Sequence, residues 1–282
     1  MPPGPRGVEP GMATDFRAEM GYGSYLDLDT LLTAQHPVSE PEHHDELLFI
    51  IQHQTSELWL KLVLHELRSA VALLQADRLR VALKRIARVK HIQRTLTDQW
   101  SVLATLTPTE YSEFRDFLGR ASGFQSWQYR AFEFVLGNKD AATLAVHAHH
   151  PEGTRVLTEL LEGPSLYDAF LGCLARQGHP VPARVLERDL TRPHTEDDEL
   201  TEVLCAVYAD AETHWDAYEA CEELVDLEDA VQLWRFRHLT TVQRTIGLKT
   251  GTGGSSGVGF LRRALDVTFF PELYAVRTRI GR

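Results

Sequence analysis

From Glu42 to about Leu74 the chain runs without a proline, and Leu47, Ile51, Leu58, Leu62 and Leu67 recur at spacings that keep one helical face apolar. Roughly 33 residues at about 1.5 Å each span about 50 Å, the expected width of one compact domain of this size. A helix that long has to be the spine of a bundle. A second amphipathic stretch, Arg78 to Leu103, carries Lys84, Arg85, Arg88, Lys90 and Arg94, which read as a solvated basic face. Thr107-Pro108-Thr109-Glu110 has the marks of a helix start: a Thr cap, Pro in the first turn, and Glu three residues after the cap. Further helices are predicted over Phe124–Leu136, Glu196–Leu224, Asp226–Ile246 and near Phe260–Thr268. Period-two strand alternation is essentially missing, so the fold class is all-α.

One helical-bundle domain is expected over residues 21–282, after a flexible tail at 1–20. Residues 138–195, broken by Pro151, Gly163-Pro164, Gly178, Pro180, Pro182 and Pro193, read as a peripheral helical insert. The chain carries 29 basic and 40 acidic side chains, a formal charge of −11, which argues against nucleic acid as a partner because phosphate binding relies on excess Lys and Arg. Three cysteines, Cys173, Cys205 and Cys221, lack C-x-x-C spacing, which excludes a disulfide framework and a cysteine-built metal site. The natural compartment is a reducing cytoplasm. Residues 1–20 lack the apolar core of a signal peptide, and no run of about 18 apolar residues predicts a membrane span.

Metal chemistry in such a chain falls to its 13 histidines. The zinc-protease H-E-x-x-H pattern fails at His65-Glu66, where Ser69 holds the second histidine position. A carboxylate di-iron bundle requires two Glu-x-x-His pairs, and only Glu40-x-x-His43 occurs. His194, Glu196 and His214 offer a two-histidine, one-carboxylate triad, although His194 follows Pro193 in a loop and Glu196 is better explained as first-turn charge. His91, His147, His149 and His150 read as surface residues. The run Gly251-Thr252-Gly253-Gly254-Ser255-Ser256-Gly257 is neither a P-loop, since Val258 follows it, nor a Rossmann turn. It is a bland loop or a functional flap.

Two histidines differ from the rest. His53 has Phe49 one turn before it and Glu57 one turn after, and His238 has Trp234 one turn before it within Trp234-Arg235-Phe236-Arg237-His238. An apolar-set histidine with nearby arginines is compatible with haem, the arginines meeting its propionates. A lone helical histidine is also commonly a hydrogen-bonded core residue, and spacing alone does not separate the two.

Longer motifs go further. Asp45 to Trp59, Leu106-Thr107-Pro108 with Tyr111 and Phe114-Arg115, Ser122-Gly123-Phe124-Gln125-Ser126, Trp234 to His238 and the Gly251–Gly257 run resemble, in order and over about Gly21 to Thr278, the tryptophan 2,3-dioxygenase family. Ala121 stands where the family usually has serine, and Ser24 where bacterial relatives tend to have glycine. The resemblance implies a cytosolic enzyme with one haem b per subunit, inserting O2 across the indole C2–C3 bond of L-tryptophan. It implies that His238 is the axial iron ligand, with Ser122 and Gly123 near the cofactor, and that His53 sits beside the indole N–H. Phe49 and Tyr111 would wall the indole, Arg115 would hold the carboxylate, and Thr252 would contact the amino-acid end. A homotetramer would bring Tyr22, Tyr25 and Leu26 into a neighbouring subunit's pocket. The alternative from another class is a haem-binding gas sensor or carrier without turnover, which needs no amino-acid anchor.

Overall fold

The computed structural model describes residues 7–17 and 19–281. Among them the regular structure is helical throughout, with no strand. In chain order the α-helices are α1 Tyr22–Tyr25, α2 Leu28–Leu31, α3 His44–Gln75, α4 Leu79–Asp98, α5 Trp100–Leu103, α6 Pro108–Arg115, α7 Trp127–Leu136, α8 Pro151–Glu162, α9 Leu166–Arg176, α10 Ala183–Leu186, α11 Asp198–Ala209, α12 Trp215–Ile246, α13 Val258–Ala264 and α14 Pro271–Arg279. Of the expected tail, residues 1–6 and Ala18 lie outside the described residues, and the remainder is exposed and non-helical. No described helix is long and apolar enough to cross a membrane.

The spine helix α3 has 32 residues, as does α12, and α4 packs against both. Burial explains the arrangement: Leu79, Leu83, Ile86, Val89, Ile92 and Leu96 of α4 follow three-and-four spacing and are all buried, so one stripe serves two neighbours. The basic residues of α4 are not merely solvated. Arg85 and Arg88 reach the buried Glu66 of α3 at 3.6 and 2.6 Å, and Lys90 pairs with Glu223 and Asp226 of α12 at 2.8 and 2.9 Å. Three of the five thus flank the seams with α3 and α12, while Lys84 and Arg94 are exposed, so the reading as a solvated face holds only in part.

Four further expectations are corrected. The stretch predicted to run from Arg78 to Leu103 ends at Asp98 and restarts as α5. The two helices predicted to meet near residue 225 meet instead at 210–214, where Asp210 Oδ1 accepts from Thr213 N and turns the chain. Residues 138–195 are not peripheral: Leu157, Leu166, Phe170 and Leu174 are at most 1% exposed and share the main core with Val63 and Leu67 of α3. Prolines and glycines shorten the helices there without removing their apolar faces. His147, expected at the surface, is buried.

The C-terminal helix α14 was not anticipated, although Pro271 at its first turn is a recognisable start. Its buried Glu272 accepts from Asp197 N at 2.8 Å and from Tyr167 OH at 2.9 Å, and lies 2.6 Å from His194 Nε2. That bond removes His194 from any triad with Glu196 and His214. Among the described residues no group of three or more His, Cys, Asp or Glu is placed to hold a metal ion.

Candidate active site

Helices α3, α5, α6 and α12 converge on a second apolar cluster: Trp100, Leu103, Leu106 and Phe114, with Phe49, Tyr111 and Trp234 packed against it. Phe49 is its hub. Its ring centroid lies 4.2 Å from that of His53, 5.8 Å from Tyr111 and 5.7 Å from Phe114. Phe49 and His53 share a face because they are one helical turn apart. Tyr111 and Phe114 share theirs on α6, which opens with the predicted box: Thr107 accepts from Glu110 N, and Glu110 accepts from Thr107 N at 2.7 Å.

His53 Nδ1 lies 2.7 Å from the carbonyl oxygen of Phe49. A carbonyl can only accept, so in the neutral ring Nδ1 carries the proton and Nε2 presents a lone pair. Burial pushes the His53 pKa down, opposed by the Phe49 bond and the charge of Glu57, with the net shift downward. The ring is therefore uncharged near neutral pH.

His238 on α12 is held between two indoles. Trp100 stacks on it at 4.7 Å with an interplanar angle of 11°, and Trp234 lies 5.2 Å away, tilted. Burial, with a smaller contribution from the charge of His53, lowers the His238 pKa to about 4. The two imidazoles, from different long helices, thus lie within electrostatic range of each other, and both are neutral at pH 7.

At the far end of the aromatic wall stands Arg115, one turn after Tyr111. Burial raises the Tyr111 pKa while the Arg115 guanidinium opposes that shift. Arg115 Nη2 donates to Thr250 O at 2.5 Å, and Thr252 Oγ1 donates to Ala121 O at 2.5 Å. The glycine-rich loop is thereby seated over the 121–125 segment. Its contact there is tight enough that a Cβ on Gly253 would come within 2.7 Å of Ser122 Cβ. Ser122 also caps the short turn Gly123–Gln125.

The structure therefore brings together Phe49, His53, Tyr111 and, through α12, His238, with Arg115, Thr252, Ser122 and Gly123 at the adjoining loop. It does not bring Tyr22, Tyr25 or Leu26 to them: the two tyrosines are 76% and 73% exposed, and among the described residues no aromatic pair joins them to Phe49 or Tyr111. The sequence reading missed Trp100, which lies inside the stretch predicted as one helix and has no local feature that points to His238. Of the arginines near His238 that it offered to propionates, Arg235 is taken: it is 3% exposed and bonded to Glu133.

This constellation can be set beside known proteins. The family model described as tryptophan 2,3-dioxygenase matches residues 7–205 and 169–280. The chain belongs to the tryptophan 2,3-dioxygenase family. It is 70% identical to the tryptophan 2,3-dioxygenase of Kineococcus radiotolerans, over 98% of this chain and 96% of that protein. Identity to the tryptophan 2,3-dioxygenase of Saccharopolyspora erythraea is 66% over 98% of each chain, and to that of Myxococcus xanthus 60% over 99% of this chain and 97% of the relative. Membership in the tryptophan 2,3-dioxygenase family agrees with the all-helical fold and extends across nearly the whole chain.

Proposed function

We propose that this chain is a cytoplasmic haem enzyme that adds both atoms of O2 across the indole C2–C3 bond of L-tryptophan, giving N-formyl-L-kynurenine at the head of tryptophan breakdown through kynurenine. The observation that carries the reading is the placing of His53 and His238, from two long helices, on an aromatic cluster whose wall ends at Arg115. The residues fit a haem b. Iron binds unprotonated imidazole, and among the described residues no hydrogen bond occupies His238, which its apolar surroundings keep deprotonated. His238 would hold the iron, with Ser122 and Gly123 as further residues on the cofactor. The haem would supply the dioxygen chemistry.

The remaining tasks fall to the protein. Phe49 and Tyr111 cover the indole faces, with apolar burial favouring binding by several kcal/mol before ordering costs. Arg115 takes the carboxylate, for which a planar guanidinium fork is suited, and Thr252 contacts the amino-acid end as the loop excludes water. His53 Nε2, the free lone pair, accepts the indole N–H and fixes the ring's orientation. It does not remove that proton, because imidazole has an unperturbed pKa of roughly 6.5, far below that of an indole N–H, and burial lowers it further. Tyr22, Tyr25 and Leu26, exposed on this chain, complete a neighbour's pocket in a homotetramer.

A gas sensor has no use for Arg115 and the loop bound to it. The test is an absorbance spectrum of reduced protein with and without L-tryptophan, followed by assay of the product with O2. A Soret band that shifts on adding L-tryptophan, with turnover, supports the proposal; haem without turnover refutes the enzyme. His238→Ala should abolish stable haem binding, while His53→Ala should keep haem and slow turnover. The reverse pattern would mean the two histidines exchange roles.

A further inference from the structure

One face of α12, residues 228, 232 and 235, lies a full turn at a time beneath the chain that leaves the glycine-rich loop. Arg235 Nη1 donates to Ala264 O at 2.9 Å and to Val267 O at 3.2 Å. Gln232 Nε2 donates to Val267 O at 2.8 Å, and the Glu228 carboxylate accepts from Phe269 N and Phe270 N at 2.9 and 3.0 Å. The guanidinium of Arg235 also stacks on Phe269 at 4.8 Å. Ala264 is the last residue of α13, the helix that begins at the loop's end, so this grip fixes the loop's downstream stem.

Arg235 grips the floor under the loop as well. Its Nη2 donates to Glu133 Oε1 of α7 at 3.1 Å, and Glu133 Oε2 accepts from Arg130 at 2.5 Å. Helix α7 follows directly from the 121–125 segment on which the loop is seated. Arg130 lies 6.0 Å over the ring of Phe124, and Phe124 meets Phe260 of α13 edge-on at 5.6 Å. A single buried side chain therefore ties the loop's stem and the loop's floor to the helix that carries His238, three residues further on.

We propose that Arg235 is a positioning residue for substrate: it sets the seat of the Gly251–Gly257 loop relative to the His238 helix without touching substrate itself. The inference deepens the function proposed above and rests on it. Geometry decides between Arg235 and an ordinary buried ion pair: Nη2 serves Glu133 while Nη1 serves the two carbonyls, and a lysine keeps the charge but presents all its donors from one nitrogen, without the fork that spans both. In Arg235→Lys the KM for L-tryptophan should rise about tenfold, with kcat and the Soret spectrum within twofold of the parent. A milder loss of the same grip, Gln232→Leu, should raise KM two- to threefold.

Asp168→Asn, which weakens the remote buried pair with Arg188 (2.8 Å), serves as a destabilised control and should leave KM unchanged. Hydrogen exchange of the 258–264 peptide without substrate should speed up in Arg235→Lys and not in Asp168→Asn. Equal melting losses with unchanged KM and exchange in Arg235→Lys would reduce Arg235 to a structural pair. Loss of haem at parental KM would mean that it acts on His238 rather than on the loop. A parent protein without tryptophan turnover would refute the function, and the exchange measurement would still decide whether Arg235 anchors the stem.

Discussion

Replacing Gly253 by alanine tests whether the loop's seat on Ser122 matters for binding. The added Cβ would lie 2.7 Å from Ser122 Cβ and 2.9 Å from Ser122 Oγ. Carbon atoms sit comfortably at about 3.5–4.0 Å, so the overlap is about 1 Å and either the loop or Ser122 must move. The backbone at 253 is not in the left-handed region, so alanine adds bulk without adding torsional strain. Overpacking of this kind costs about 1–3 kcal/mol. Charged against the seated loop alone, that weakens substrate retention about 5- to 150-fold. Steady-state kinetics with L-tryptophan should show a KM increase in that range and a smaller change in kcat. Because both offending atoms belong to one side chain, Ser122→Gly in the same protein should recover most of the loss, and the four-protein cycle isolates the contact. A Gly253→Ala enzyme with KM within twofold of the parent refutes the reasoning, as does a double variant no better than the single one.

Three further outcomes are expected. Burial holds the Glu228 pKa at about 7 against the pull of its two backbone N–H bonds. The folded chain then keeps a proton that the unfolded chain releases from about pH 4.5, so this group's contribution to stability weakens as pH rises from about 4.5 to 7, by roughly 3 kcal/mol. Urea unfolding of Glu228→Gln and the parent should show the variant gaining relative stability by about that amount between pH 5 and 8; parallel curves would contradict the shift. Tyr167→Phe removes one of three donors to the buried Glu272 and should lower stability by about 1–3 kcal/mol, read as a fall in Tm. Deleting residues 1–28 should lower activity at limiting L-tryptophan while leaving the haem spectrum intact, and an unchanged rate would discard the role proposed for Tyr22 and Tyr25.

What the sequence made legible was local periodicity and long motifs. The spine helix, the Thr107 box and the juxtaposition of Phe49 with His53 all follow from residues within one or two turns of each other. The break at 210–214 was missed because it contains neither glycine nor proline; an aspartate side chain turns the chain there. The buried placement of 138–195 was missed because interrupting prolines say where helices stop and nothing about what covers them. Trp100 and Arg235 matter through partners 138 and 102 residues distant in sequence, His238 and Glu133 respectively, and no spacing rule reaches that far. Recognition of the family came from motif order, which encodes the three-dimensional arrangement without explaining it.

The bond from His53 to Phe49 O bears on how this site tolerates change. A histidine's tautomer is set by the group that its other ring nitrogen bonds, and where that group is a side chain a single mutation can remove it. Here the selector is a main-chain oxygen one turn back on the same helix, present whatever residue occupies position 49. Drift at position 49 alters the shape of the pocket and leaves the proton on Nδ1. Substrate preference and hydrogen-bond polarity can therefore vary independently in this chain, with only a distortion of α3 or the loss of His53 able to disturb the second.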